Sequence, residues 1–480
     1  MTLRRWICVT AAAGVMLAAI FAVRIGLGVQ RANEIFATAP IAPDLTGRPA
    51  EFQRRVAGAL RHVHDGPARL AALGELSRLY HANGFLAEAS QCYRGLLRLE
   101  PSNPYWSYRL AAIVGGLGQI EDALPLIERT IKLAPGYAPA RLRLGDALLK
   151  TNQIADARHA YSIVLRNDAQ NPYALLGLAR CEIAAGQWAQ ARDILRQAAT
   201  ANHGFQPAWT VLAQVCERLG DDLAAKSARA QIKETQRFRE SPDPWLDELI
   251  NECFDPYQLC VAAAVAAESR DFRTDTDLLT RAIEISPENA SINRQLGTAL
   301  ENKGELSKAR HYFEQAVALA PEDSDGWVKL VGVLKQLGDG QAFDRTLASA
   351  LSECPNSPTL HIERGRRLRA GGRFEDALAD FRTAQQLRPN EAEAFVEAAG
   401  VFFHLNRLED GIAEMREALN AEPENPAALV LLTRYAIGTG NEHEAAEWFR
   451  RIHQQARVRA EDLAELEAAY RGRFGTAPPQ

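Results

Sequence analysis

Apolar side chains return along this chain in short helical stripes broken at fixed intervals. In residues 290–323, ASINRQLGTALENKGELSKARHYFEQAVALAPED, the residues Leu296, Gly297 and Leu300 share one face of a first stripe. Ala309, Phe313 and Ala316 share one face of a second. Gly304 follows the first stripe, where a left-handed residue closes the last carbonyls of a helix, and Pro321 stops the second. The pattern predicts two amphipathic helices joined by a tight turn.

The unit repeats. Steps of 34 residues from Pro321 land on Pro287, Pro355, Pro389 and Pro423, and Pro101 and Pro135 keep the same spacing. The turn glycine recurs as Gly84, Gly118, Gly186 and Gly220, then as Gly304, Gly338, Gly372 and Gly440. The small residue of the second helix recurs as Ala89, Ala123, Ala157, Ala191 and Ala225, then as Ala309, Ala377 and Ala445. This ruler resembles the tetratricopeptide repeat (TPR), a helix–turn–helix unit of about 34 residues. The resemblance implies an all-α fold: a right-handed α-solenoid, or superhelix, in which each hairpin packs on its neighbours and chain length sets no limit.

Residues 1–36 read as a membrane anchor or signal segment. Arg4 and Arg5 precede an uncharged run over 6–23, long enough for a minimal spanning helix or a long signal core. The tidiest cleavage site, Ala37-Thr38-Ala39, lies far from that run and precedes Pro40, so an uncleaved anchor is favoured over secretion after cleavage. The positive flank then places the repeats on the extracytoplasmic side, the periplasmic face of a bacterial-type inner membrane. Residues 37–69 read as a proline-bearing linker and a capping helix over 51–64. Five repeats fill 70–239 and six fill 256–459, with a capping helix and tail over 460–480. Between the blocks, residues 240–255, ESPDPWLDELINECFD, fall outside the ruler and carry a short amphipathic helix with Leu246, Leu249 and Ile250. Trp245 is read as a partner-binding anchor or as a plug for the joint between the blocks, the second being favoured. Cys253 and Cys260 could form a disulfide or remain two partly buried thiols.

Charge and chemistry narrow the function. A net charge of −5 with no basic stripe argues against a nucleic-acid binder. The seven cysteines include no CxxC pair, and no metal site or cofactor is expected. His443-Glu444-Ala445-Ala446-Glu447 lacks the second histidine of a zinc helix, and the glycines at 115–118 end a helix rather than opening a phosphate loop. No repeat-free, domain-sized stretch remains for an enzyme, and no small-molecule substrate is expected.

What remains is surface. The resemblance implies that the first helix of each repeat lines a concave groove that takes partner peptides or helices. Carrying over the family's inward positions gives Arg78, His81, Tyr105, Tyr108, Leu142, Lys150, Tyr173, Leu176 and Arg180 in the first block. The second block gives Arg366, Arg369, Phe403 and Arg434. Tyrosine, leucine and arginine suit a protein interface, because they bury area at low entropy cost and pair with acidic groups. The lysine and asparagines of the family's carboxylate clamp are missing from the matching positions. The expected function is a non-catalytic scaffold for protein–protein interaction at a membrane. The alternative is an accessory subunit of an envelope export, polysaccharide, pilus or cytochrome assembly machinery.

Overall fold

The computed structural model describes residues 29–30, 32–66, 68–232, 241–268, 271–455 and 458–479. The described residues form helices and connecting turns with no strand. They divide into two compact units, Met1–Ile285 and Ser286–Gln480.

After a helical stretch over 32–37 that buries Phe36, the first unit continues with α1 (Ala50–Asp65), whose Phe52, Val56, Ala59 and Val63 are buried against the first hairpin. Five hairpins follow: α2 (Arg69–Ala82) with α3 (Leu86–Leu99), α4 (Pro104–Gly116) with α5 (Ile120–Leu133), α6 (Ala138–Lys150) with α7 (Ile154–Asn167), α8 (Pro172–Ala184) with α9 (Trp188–Ala201), and α10 (Gln206–Arg218) with the shorter α11 (Asp222–Ala230). After the insert come α12 (Pro256–Glu268) and α13 (Phe272–Ile285). The ruler groups this last hairpin with the second block; in the structure it belongs to the first unit.

The second unit holds α14 (Ala290–Asn302) and α15 (Leu306–Leu319), α16 (Ser324–Leu337) and α17 (Gly340–Glu353), α18 (Pro358–Ala370) and α19 (Phe374–Leu387), α20 (Glu393–His404) and α21 (Leu408–Ala421), then α22 (Pro426–Thr439) and α23 (Glu442–Gln455). It closes with α24 (Ala460–Phe474), which buries Leu466 and Tyr470 against α22 and α23.

Turn chemistry sets the hairpin period. All eight ruler glycines have φ between +72° and +84°, the left-handed conformation that ends a first helix. In two of the repeats without a turn glycine, Asn152 and Asn406 take the slot at φ 61° and 59°. Asparagine tolerates that region because its short polar side chain bonds locally. Helix starts use the other end of the same period. Asn103, Asn171, Asn289, Asp323 and Asn425 each accept a backbone N–H of the helix that follows. Within hairpins the close approach falls at Gly297, Gly365 and Gly145. There a Cβ would sit 2.6, 2.5 and 2.6 Å from the ring of Phe313, Phe381 or Tyr161.

Among the described residues no helix is long and apolar enough to cross a membrane. The run 6–23 lies outside the described residues. All six described cysteines are free thiols: Cys253 is buried, Cys260 half-buried, and no disulfide joins them.

Candidate functional site

Residues 241–255 lie within the first unit, between its early hairpins and α13. They run back along the first helices of the first unit, from α6 through α4 to α2 and α1. Pro244–Asp247 forms one helical turn that passes into a 3₁₀ segment, Glu248–Glu252. The expected amphipathic helix is thus broken into two short pieces laid in the groove.

Trp245 is the centre of the seat. Its indole stacks on Tyr137 at 3.7 Å between centroids and lies 4.2 Å from the Tyr105 ring. Tyr108 meets it edge-on at 5.6 Å. The Trp245 N–H donates to the Tyr137 hydroxyl at 3.1 Å. Arg109, 2% exposed, donates to the Trp245 carbonyl at 3.1 and 3.2 Å and forms an ion pair with Glu248.

Two residues earlier, the Asp243 carboxylate is 7% exposed and ringed by donors. The Tyr108 hydroxyl donates to one oxygen, the Tyr137 hydroxyl to the other at 2.5 Å, and Arg143 lies 3.5 Å away. A buried carboxylate is tolerated only when its lone pairs are satisfied in this way. Tyr108 is itself fully buried, and burial is the largest cause of its raised pKa, followed by opposing effects of Arg143 and Asp243.

The far end is held more deeply. Asn83 donates from its side-chain amide to the Glu252 carbonyl at 2.8 Å and accepts the Phe254 N–H at 2.7 Å. Glu252 pairs with Arg55 at 2.7 Å and with Arg78 at 3.7 Å. Phe254 packs on Phe52 at 5.7 Å. From the other side Arg281 of α13 donates to the carbonyls of Ile250, Asn251 and Cys253.

Of the residues expected to meet a partner, Arg78, Tyr105 and Tyr108 therefore meet the chain's own insert. His81 faces Tyr93, its Nδ1 3.2 Å from the hydroxyl. Burial, with Arg109 and Arg143 adding, pushes its pKa down to about 4, so it is neutral at pH 7. Leu142, Lys150, Tyr173, Leu176 and Arg180 line a cavity of about 640 Å³ that continues the groove past Ser241 and Pro242. Lys150 and Arg180 are exposed in it.

The second unit's set is different. Arg366 bonds Glu363, Glu393 and Glu397 at 2.7–2.8 Å, Arg369 bonds Glu397 at 2.6 Å, and Lys335 bonds Glu363 at 2.9 Å. These cations are already neutralised by their own face. Phe403 is half-buried beside Gly411, and Arg434 pairs with Glu465 at 3.1 Å.

Inward positions taken from the family omit Arg109, Arg143, Tyr137 and Asn83. One signal was available: Arg109 and Arg143 are one period apart, and Tyr137 replaces the helix-capping residue of other repeats. Among the described residues no group of histidine, cysteine or acidic side chains is placed to hold a metal.

Comparison with known proteins follows the same lines. Two family models, each described as Tetratricopeptide repeat, match residues 75–138, 114–153, 142–207, 362–426 and 405–457, and residues 290–323. Cellulose synthase operon protein C of Pseudomonas fluorescens is 24% identical over 465 residues, covering 84% of this chain and 35% of its own length. DnaJ homolog subfamily C member 3 of Homo sapiens is 21% identical over 376 residues, covering 74% of this chain and 60% of its own. The chain thus spans about a third of the first relative and three-fifths of the second. Among solved structures, yeast Tom70 aligns over 83% of this chain and 95% of its own with 15% identity and a TM-score of 0.39.

Proposed function

Because this chain belongs to the tetratricopeptide repeat family, we propose that it is a non-catalytic scaffold whose concave groove binds a segment of another protein. The observation that carries this reading is the seating of residues 241–248 on α4 and α6. A polypeptide with few backbone bonds of its own is held there by aromatic stacking, carboxylate–tyrosine bonds and an arginine on a carbonyl. Those are the contacts by which a preformed surface binds an extended peptide without ordering itself. The open end of the groove, at Lys150, Tyr173 and Arg180, is where a partner would enter.

The scaffold reading includes a membrane tether through residues 6–23, with the repeats on the extracytoplasmic side. A second reading, an accessory role in polysaccharide synthesis or export, is supported by the likeness to cellulose synthase operon protein C.

Photo-crosslinking separates groove binding from other surfaces. A crosslinker at Arg180 should capture a discrete partner in intact cells, and one at the exposed Arg196 of α9 should not. Equal capture from both positions would sink the groove. Fractionation of the same cells tests the tether.

A further inference from the structure

We propose that the seat of Asp243 and Trp245 is the recognition site for a partner segment with the same chemistry, a carboxylate two residues before an indole. Residues 241–248 of the chain itself act as a displaceable latch over that site. The inference rests on the groove reading and adds to it the partner's chemistry and its regulation.

Three observations support it. First, the seat is polar and cationic beneath the latch. Arg109 and Arg143 lie one 34-residue repeat apart with the hydroxyls of Tyr108 and Tyr137 between them, and both arginines meet carboxylates supplied by the insert. Removing the latch takes from Arg109 its carbonyl and carboxylate partners and from the two hydroxyls their shared carboxylate, and an anionic ligand would restore them. An indole completes the match, because the Tyr105 and Tyr137 rings clasp a flat aromatic.

Second, the near half of the insert is more exposed than the far half, although Asp243 itself is buried. Pro242, Pro244, Asp247 and Glu248 are exposed and Trp245 is only half-buried, whereas Leu249 and Cys253 are buried and Asn83 and Arg281 pin the backbone beyond them. Residues 241–248 can therefore leave while 249–255 stay. Third, the cavity beside Ser241 and Pro242, lined by Arg143, Lys150 and Arg180 together with Asp146, Asp243 and Asp247, gives a competitor whose carboxylate reaches Lys150 or Arg180 a place to land next to the latch before displacing it. Effective concentration favours the latch over a weak competitor and so sets a threshold for the partner.

The test uses the full chain and a fluorescein-labelled peptide of residues 241–250, SPDPWLDELI. Wild-type chain should bind it at least tenfold more weakly than the variant Asp243→Asn/Trp245→Ala, whose latch is loosened. A peptide carrying the same two changes should bind neither. Failure of the variant to bind, with helicity and exchange protection of α4 and α6 retained, overturns the proposal. So does a concentration-dependent doubling of mass in light scattering, which would make a second copy the occupant.

Should the variant unfold, hydrogen exchange on the wild-type chain decides. The amides of Trp245, Leu246 and Asp247 should exchange at least a hundredfold faster than those in the centre of α4. Equal protection would make the segment a permanent part of the core and overturn the latch. Capture at Arg180 together with failure of the peptide would leave the scaffold standing and remove the latch alone.

Discussion

The indole of Trp245 lies nearly parallel to the ring of Tyr137, 9° between planes and 3.7 Å between centroids, although 108 residues separate them. Offset aromatic pairs contribute about 0.5–1.5 kcal/mol beyond the area they bury. A double-mutant cycle on Trp245→Ala and Tyr137→Ala should therefore return a coupling of about that size, read from opening free energies of residues 245–248 by hydrogen exchange. A coupling indistinguishable from zero would deny the stack.

Asn83 should prove as important to the far end of the insert as Tyr137 is to the near end. Its side chain serves the Leu79 and Glu252 carbonyls and the Phe254 N–H. In Asn83→Ala the N–H and the Glu252 carbonyl lose their partner in a buried setting, which costs about 1–3 kcal/mol. The loss should be local. Exchange should accelerate across residues 249–255 while α8 and α9 keep their protection; uniform acceleration would argue for a global role.

Gly297 is predicted to admit no side chain. A Cβ there would stand 2.6 Å from the Phe313 ring, whose own surroundings are fully buried. Gly297→Ala should lower stability by about 1–3 kcal/mol in urea unfolding, as overpacked cores do. Gly332→Ala, in a helix and with nothing within 4 Å of the new carbon, should instead raise it by about 0.4–1 kcal/mol. Equal effects at both sites would contradict the packing described.

A pH dependence should arise in the second unit from His361. Its Nδ1 lies 2.9 Å from Asp380 and its Nε2 2.9 Å from the Pro355 carbonyl, so the doubly protonated ring satisfies both. The bond to Asp380 is the main cause that raises the pKa above 6.5, against burial. A raised histidine stabilises the fold below about pH 6.5, and that contribution is lost as pH rises through the folded value. Asp380 has the opposite sign. Although burial acts to raise its pKa, the Arg364 and His361 bonds outweigh it and hold it below 3.8, so its contribution is lost on acidification. Exchange protection in α18 and α19 should thus decline as pH rises above about 6.5 and through the raised folded value in the wild type. It should stay flat in His361→Gln. A flat wild-type profile would remove the ion pair.

Hairpins were legible in the sequence because each depends on local chemistry that recurs. Glycine at the turn, alanine at the contact and an aromatic against Gly297 all act within one repeat. Asn152 and Asn406 extend that reading, since asparagine fills the left-handed slot in two repeats where the ruler shows no glycine. The capping helices over 51–64 and 460–474 were legible for the same reason. The insert was not. Its contacts reach back from Asp243 to Tyr108 and from Glu252 to Arg55, across separations at which periodicity carries no information. Leu142, Lys150, Tyr173, Leu176 and Arg180 line one cavity, but Leu142 and Leu176 are buried in the core, and Lys150 and Arg180 are the members of that set that stand exposed. Which part of the groove the chain covers with itself was not legible, because pairing of side chains far apart in sequence is a property of the packed unit.

The clamp of Arg281 on three insert carbonyls has a practical consequence for anyone dissecting this protein. A fragment ending at residue 232 would keep the five hairpins of the first row yet bare a trough of arginine and tyrosine. Such a fragment would adhere to acidic aromatic peptides of many origins. Any catalogue of ligands collected with it would describe the stripped trough, and only the longer chain can report selectivity.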